Sequence, residues 1–270
     1  MFINKQVLAA NLLPVFNRIL SPFRLRISTK NSPNRDFSAF ITHLNQLNFQ
    51  IKTVIDVGIA FGTPAFYKSL PKANFYLVEP VPQCKPLLQK LEQTIGATFF
   101  NVAAGAEDGE MDFFVHNDIS GSSALRQWEG EALDGQRITV PVQKLDTIIP
   151  DTIARPSLLK IDTQGNELEV LKGSQKILDK IDVVIIETSF HEFRKGAPEI
   201  HDIIAAMTAL GFRCYEVLEG HYRLVDNALA QVDIAFVKQD SVLRSSKCFF
   251  NKEQLQDYLS KHNEIKSAIQ

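Results

Sequence analysis

Four acidic residues each stand at the end of an apolar segment and beside a turn: Asp56, Glu79, Asp162 and Glu187. Gly58 follows two residues after Asp56, and Pro80 follows Glu79 directly. Carboxylates in such positions can accept hydrogen bonds from ligand hydroxyl groups, attract a cationic ligand or take up a proton. Acids can also cap the helices that follow strands, but the glycine and proline turns after Asp56 and Glu79 argue against that explanation at these two positions.

Residues 53–80 predict a strand, a glycine turn, a helix and a second strand. A β-prone run leads into Gly58 and Gly62, and Pro64 lies at a typical first-turn position of a helix. Glycine lets the backbone approach a ligand closely because it has no Cβ atom. Glu79, 21 residues after Gly58, can accept hydrogen bonds from both hydroxyl groups of a ribose. The segment therefore predicts a nucleoside-cofactor site, with an ordinary tight turn between strand and helix as the alternative.

The spacing of the glycines narrows the choice of nucleoside. A dinucleotide site has the pattern G-x-G-x-x-G, whereas Gly58 and Gly62 give G-x-x-x-G with Ala60 between them. The phosphate-binding pattern G-x-x-x-x-G-K-[ST] is also absent. A turn with an acid two residues upstream suits a cofactor that carries positive charge, as S-adenosylmethionine does on its ammonium and sulfonium groups. We therefore expect that cofactor, and two other classes remain open: an NAD(P)-dependent oxidoreductase and a non-catalytic cofactor-binding scaffold.

The ends of parallel strands meet at one edge of a sheet, where ligands bind. The third predicted strand ends at Ala103, a small apolar residue that suits an adenine ring lying against it. Lys160 lies in mid-strand, two residues before Asp162 and on the same face. The two side chains can form a structural ion pair, or Lys160 can help to remove a proton from a substrate. His191, four residues after Glu187, is a candidate base or an ordinary surface residue.

Strands and helices alternate along most of the chain, which predicts an α/β fold with a doubly wound, mostly parallel sheet. A short connection before the last strand predicts that the final pair is antiparallel. Among the predicted elements are a third strand over 98–103, a single helix over 167–178 and a terminal helix over 254–263. We expect three regions: an N-terminal helical extension over 1–35, the main domain over 36–240 and a C-terminal helical tail over 241–270.

Composition excludes several functional classes. The 270 residues are 45% hydrophobic and carry a formal net charge of −2, so we expect a buried sheet and no nucleic-acid partner. Three cysteines without a C-x-x-C pattern favour a reducing compartment and a cytoplasmic location. No apolar run approaches the ~18 residues that span a membrane. The six histidines show no metal-binding spacing, so we expect no metal. The alternative is a metal-assisted reaction in which Asp162 is a metal ligand.

The N-terminal segment can cap the sheet or form half of a homodimer contact.

Five sequence elements together resemble the FkbM family of S-adenosylmethionine-dependent methyltransferases. These are VIDVG, the EP pair, NVAAG, VVIIETS and, most specifically, KIDTQGNELEVLKG over 160–173. The resemblance implies the seven-stranded, Rossmann-like class I methyltransferase sheet and O-methylation of a hydroxyl group on a small molecule or sugar. It also implies that Asp56, Gly58 and Glu79 bind the cofactor and that the adenine rests at Ala103. Many members have an asparagine in the first glycine turn, where this chain has only Ile59, Ala60 and Phe61.

A methyltransferase of this kind must align the acceptor hydroxyl, exclude water and remove the hydroxyl proton. We expect Asp162, supported by Lys160, to act as the base or to clamp the substrate. His191 and Glu187 are the second candidates for the base. The segment from Ser120 to Ser123 is a candidate lid.

Overall fold

A computed structural model describes residues 35–128 and 130–269. The strands are β1 Thr53–Val57, β2 Asn74–Val78, β3 Thr98–Phe100, β4 Ala103–Ala104, β5 Gly109–Val115, β6 Gln136–Gln143, β7 Ser157–Ile161, β8 Val183–Ser189, β9 Phe212–Tyr222 and β10 Leu229–Lys238. The helices are α1 Phe37–Gln46, α2 Pro64–Ser69, α3 Lys85–Ile95, α4 Glu131–Asp134, α5 Leu145–Ile148, α6 Glu167–Lys172, α7 Gln175–Leu178, α8 Ile200–Ala209 and α9 Lys252–Ile269. Two short 3₁₀ turns cover Pro82–Cys84 and Val242–Arg244. The predicted helical extension lies outside the described residues, apart from position 35.

Seven strands form the main sheet in the order β3-β2-β1-β7-β8-β10-β9. The first five are parallel, and β10 is antiparallel to both of its neighbours. This confirms the doubly wound, mostly parallel prediction and the antiparallel final pair. The strand order reverses between β1 and β7, so the carboxyl ends of these two strands are where the topology predicts a ligand crevice.

The central strands are buried on both faces, because helices cover the sheet on each side. β1 and β7 are buried at every position, and such strands have nearly continuous apolar sequences. Alternate residues enter two separate apolar clusters: Val54 and Leu158 belong to one, whereas Ile55 and Leu159 belong to the other. The polar residues of these strands stand out against this pattern, because burying a polar group costs free energy unless it gains partners.

The third predicted strand, 98–103, is two separate strands in the structure. β3 joins the main sheet, whereas β4 pairs with β6 in a three-stranded sheet of order β4-β6-β5. Asn101 lies between them and donates its side-chain amide to the carbonyl oxygen of Glu79 at 2.7 Å. This hydrogen bond ties the break to the end of β2 and leaves Ala103 on the small sheet.

The helices follow local signals with two corrections. Asp36 caps α1 by accepting the amide of Ala39 at 2.7 Å, and Pro64 begins α2 as predicted. The predicted helix over 167–178 is divided into α6 and α7 around Gly173. The terminal helix is longer than predicted and runs from Lys252 to Ile269.

Candidate active site

The turn after β1 directs backbone amides toward the neighbouring strand. Gly58 has a φ of +77° and donates its amide to the carbonyl oxygen of Val78 at 2.9 Å. Ala60 also has a positive φ, +44°, and donates its amide to Glu79 Oε2 at 2.8 Å. A positive φ is uncommon for a residue other than glycine. The hydrogen bond to a buried carboxylate offsets that strain, so the alanine turn fixes the orientation of Glu79.

Glu79 is a buried acid, 4% exposed, held by two backbone amides. Its Oε1 accepts the amide of Val81 at 2.9 Å, while Oε2 accepts that of Ala60. Burial raises the pKa of Glu79, and the two amide hydrogen bonds oppose this increase. Each carboxylate oxygen has a further lone pair. The carboxyl group is therefore rigid and still able to accept hydrogen bonds from a ligand.

We call the cavity that Glu79 and Asp162 line the inner cleft. Much of its wall is apolar, formed by Ala103, Ala104, Met111, Phe113 and Ile119. A fixed acid beside a broad apolar surface suits a ligand that has both hydroxyl groups and a flat ring.

Gly58 and Asp162 join the turns after β1 and β7. The amide of Asp162 donates to the carbonyl oxygen of Val57 at 3.0 Å. A Cβ atom on Gly58 would lie only 1.8 Å from the backbone oxygen of Asp162. The close approach of these two turns therefore requires glycine at position 58. Gly62, at the end of the first turn, has a φ of +87° and lies beside the ring of Tyr67.

A second cavity, which we call the acidic cleft, adjoins the inner cleft. Gly58, Ser120 and Asp162 line both cavities. Four acids and one lysine line the acidic cleft on the sheet side: Asp162, Glu187, Glu219, Asp233 and Lys160. Strand register brings them together, because Glu187 on β8 lies opposite Asp233 on β10. Alternation places these side chains on the same face of the sheet as Leu158 and Ala235.

Asp162 is held by two neighbours. Its Oδ2 accepts a hydrogen bond from Lys160 Nζ at 2.9 Å, and its Oδ1 accepts one from Gln164 Nε2 at 3.0 Å. This confirms the predicted contact between Lys160 and Asp162 on one face of β7. Burial disfavours ionisation of Asp162, but the charge of Lys160 and these hydrogen bonds hold its pKa below the usual value. Asp162 is therefore ionised and fixed in orientation.

Lys160 is fully enclosed by the fold and has three acids around it. Burial disfavours its charged form, but Asp162, Asp56 and Asp233 together raise its pKa above the ordinary lysine value. The ammonium also lies 5.9 Å from the ring centre of Phe37. Lys160 is consequently a permanent cation at neutral pH and does not act as a proton acceptor there.

Glu187 accepts two side-chain amides on one oxygen. Gln164 Nε2 lies 2.5 Å and Gln231 Nε2 lies 2.9 Å from Glu187 Oε2. Burial, with added repulsion from Asp162 and Asp233, raises the pKa of Glu187 to about 9. The group is therefore protonated at neutral pH and can donate a hydrogen bond.

Asp56 lies behind the clefts rather than in them. It is 0% exposed, and neither of its carboxylate oxygens has a hydrogen-bond partner among the residues that the structure describes. It is the register partner of Lys160 across β1 and β7. Burial raises the pKa of Asp56, and the charge of Lys160 opposes this increase. Asp56 thus faces the cation from the strand that ends in the glycine turn.

The predicted base candidate His191 lies apart from this cluster. Its ring centre is 5.6 Å from that of Phe193, and it is not among the described residues that line the two clefts. Among the cleft-lining residues that the sequence analysis missed are Gln164, Glu219, His221, Gln231 and Asp233. The sequence contains a pattern that points to two of them: Gln231 and Asp233 alternate with apolar residues in β10, which places both on one face of that strand.

The loop between β5 and β6 borders the inner cleft. Ile119, Ser120 and Ser122 line that cavity, while Ser123 donates its hydroxyl to the carbonyl oxygen of Gln164 at 2.7 Å. Arg194 donates to the carbonyl oxygen of Gly121 at 2.8 Å. The segment predicted as a lid is therefore tied to the turn that follows β7.

Within residues 35–128 and 130–269, no group of three or more His, Cys, Asp or Glu side chains is arranged to hold a metal ion. Over the same ranges, none of the helices combines the length and apolar character that crossing a membrane requires.

The chain matches known proteins over the region that forms this site. The methyltransferase FkbM domain model matches residues 56–214. The 2-O-methyltransferase NoeI of Sinorhizobium fredii is 26% identical over 171 residues, which cover 56% of this chain and 69% of NoeI. The hexuronic acid methyltransferase AglP of Haloferax volcanii is 26% identical over 133 residues, covering 49% of this chain and 54% of AglP.

The chain is also similar to solved structures at low sequence identity. One is the Burkholderia thailandensis 1,6-didemethyltoxoflavin-N1-methyltransferase, solved with bound 1,6-didemethyltoxoflavin and S-adenosylhomocysteine. Its TM-score is 0.41 at 13% identity, over 89% of this chain and 92% of that one.

Proposed function

The chain belongs to the FkbM family of S-adenosylmethionine-dependent methyltransferases, and we propose that its methyl acceptor is a hydroxyl group of a sugar. The observation that carries this proposal is the junction of the two clefts. Gly58, Ser120 and Asp162 line both the inner cleft and the acidic cleft. A cofactor in the inner cleft and an acceptor in the acidic cleft would therefore meet at Asp162.

The residues of the inner cleft fit the cofactor. Glu79 offers two oxygens with spare lone pairs for the ribose hydroxyl groups, and Ala103 lies on the apolar wall that would receive the adenine. The glycine turn at Gly58 and Gly62 lets a ligand approach the backbone closely, and the ionised Asp162 at the junction favours positive charge there. When bound, S-adenosylmethionine supplies an electrophilic methyl group.

The acidic cleft fits a polyhydroxyl acceptor. Gln164, Gln231 and protonated Glu187 form one connected hydrogen-bond network, so their donors and acceptors are fixed in place. A sugar presents several hydroxyl groups that both donate and accept, and such a network matches them. Two relatives that are named for a 2-O-methyl transfer and for a hexuronic acid support this acceptor class.

Asp162 is proposed as the residue that orients the acceptor. Lys160 and Gln164 engage both of its oxygens, so it is held rigidly at the junction of the clefts. A sugar hydroxyl group next to the acceptor that donates to Asp162 would fix the ring so that the acceptor oxygen faces the inner cleft. Alignment of this kind lowers the barrier because the reacting groups no longer need to find each other. Ser120, from the loop between β5 and β6, would help to exclude water.

Partners and location follow from bulk properties. The net charge of −2 supports the proposal that nucleic acid is not the acceptor, because phosphate binding depends on clustered cations. Cys84 is a buried free thiol, and Cys214 and Cys248 are exposed and free, which supports a reducing, cytoplasmic setting. A homodimer formed through the N-terminal segment stays a prediction.

Ligand-dependent melting and methyl transfer test the proposal. S-adenosylhomocysteine should raise the melting temperature by binding the folded state, whereas NAD and NADP should not. Tritiated S-adenosylmethionine should label methyl glycosides of neutral hexoses or of hexuronic acids. Glu79→Ala should weaken S-adenosylhomocysteine binding by about 1–3 kcal/mol, while Glu110→Ala, an exposed acid on β5, should not. Stabilisation by S-adenosylhomocysteine with no labelling of any glycoside would reject the sugar acceptor.

A further inference from the structure

Asp233 is an acid in the acidic cleft that the proposed function does not use. It lies on β10, directly opposite Glu187 on β8, and lines the same cavity as Lys160 and Asp162. Its Oδ1 is buried and has no hydrogen-bond partner among the residues that the structure describes. A buried acceptor of this kind costs free energy in the folded protein, which suggests that a ligand supplies the missing donor.

Asp162 and Glu187 have no buried oxygen that lacks a hydrogen-bond partner among the described residues. Both oxygens of Asp162 accept hydrogen bonds, from Lys160 and from Gln164. Glu187 Oε2 accepts two side-chain amides. Asp233 therefore has an unused acceptor oxygen in the same cavity where these two acids are already engaged.

We propose that Asp233 is the general base that takes the proton from the acceptor hydroxyl group. This assignment rests on the proposed transfer to a hydroxyl. The acceptor O–H bond breaks and its proton passes to Asp233 Oδ1, while the electron pair left on oxygen forms the new bond to the methyl carbon. The carbon–sulfur bond breaks at the same time and its electron pair remains on sulfur. Asp233 then releases the proton to water.

The surroundings of Asp233 raise its proton affinity to a value that suits a general base. Burial raises the pKa of Asp233 to about 7, and the negative charges of Asp162, Glu219 and Asp56 add to the effect, while Lys160 opposes it. A base acts best when its pKa lies near the working pH. Asp162 has a lowered pKa and is a weaker base.

Glu187 is also unsuited to this role. Its pKa is raised to about 9, so at neutral pH it already carries a proton. The three acids of the cluster consequently divide their functions: Asp162 orients the sugar through a neighbouring hydroxyl group, Glu187 donates a hydrogen bond and Asp233 accepts the proton. The rate should rise with pH through a midpoint near the pKa of Asp233.

The first experiment measures the proton on Asp233 directly, without turnover. Protein labelled with carbon-13 at aspartate carboxyl carbons is titrated by NMR in complex with S-adenosylhomocysteine. One resonance should titrate between pH 6 and 8, as the raised pKa of about 7 implies. That resonance should be missing from Asp233→Asn and present in Asp240→Asn, a matched change at an exposed aspartate just beyond β10. Titration of Asp233 entirely below pH 5 would overturn the assignment.

The second experiment measures turnover on the methyl glycoside that the wild type labels fastest. Asp233→Asn should lower kcat by roughly 10²–10⁴-fold with unchanged affinity for S-adenosylhomocysteine by calorimetry, and Asp233→Glu should recover part of the rate. Asp233→Asn that keeps wild-type kcat would reject the base and leave the sugar acceptor standing. If no glycoside is labelled although S-adenosylhomocysteine binds, the acceptor proposal fails and the titration decides the state of Asp233.

Discussion

Lys160 shows how a single buried cation organises a site. Asp56, Asp162 and Asp233 all raise its pKa, so the cluster as a whole has more acids than it has cations to compensate them. Removing one acid leaves Lys160 with two others, whereas removing Lys160 leaves all three acids, among them the fully buried Asp56, without their cation. Unpaired buried charges are costly, and paired ones contribute little net stability. The two partners of the ion pair are therefore not equivalent.

This asymmetry predicts unequal losses of stability. Lys160→Met should lower the free energy of unfolding by roughly 3–5 kcal/mol at pH 8, and Asp162→Asn should lower it by clearly less. Urea unfolding measures both, with the exposed Lys52→Met as the control for loss of a lysine charge. If Lys160→Met and Asp162→Asn lower the free energy of unfolding equally, the ion pair alone determines the loss of stability, and the wider acid cluster does not contribute.

At the scale of elements, steric contacts decide where helices break. Gly173 ends α6, and a Cβ atom there would lie 1.9 Å from the backbone oxygen of Gly105. Gly173→Ala should therefore push the helix end away from the turn after β4 and cost about 1–3 kcal/mol, as overpacking does. Gly109→Ala, which has no heavy atom within 4 Å of the added carbon, should cost little. Thermal unfolding compares the two, and equal melting temperatures would contradict the steric account.

Local pattern was enough to predict β1, β7 and the ion pair at Lys160, because periodicity and apolar runs depend on neighbours in sequence. It was not enough for the break after β3, since that break depends on a hydrogen bond from Asn101 to distant Glu79. Asp233 was missed for a related reason. An acid in an alternating strand is usually solvent-facing, and only the register with Glu187 shows that this face of β10 closes a cavity.

Across the whole molecule, the raised pKa values concentrate at one edge of the main sheet. Burial is the first cause in each case, and the acids concerned are Asp56, Glu79, Glu167, Glu187 and Asp233. Each of them is harder to ionise in the folded chain than in the unfolded one. Proteins keep such unfavourable groups where ligands need them, and function then limits stability.

This distribution predicts how stability depends on pH. Burial raises the pKa of Asp233 from its ordinary 3.8 to about 7 in the folded chain, and it raises the pKa of Glu187 from 4.5 to about 9. Below about pH 3 both groups are protonated in both states, and neither makes folding depend on pH. As pH rises to 7 and then 9, the unfolded chain loses these protons first, so the free energy of unfolding falls. Urea unfolding should show that the free energy of unfolding is a few kcal/mol lower at pH 9 than at pH 6, at roughly 1.4 kcal/mol per pKa unit.

Asp233→Asn should reduce this difference between pH 6 and pH 9. The variant should be at least as stable as the wild type at pH 9, although it is far less active. A variant that is both inactive and less stable at pH 9 would instead mean that Asp233 holds the sheet edge together.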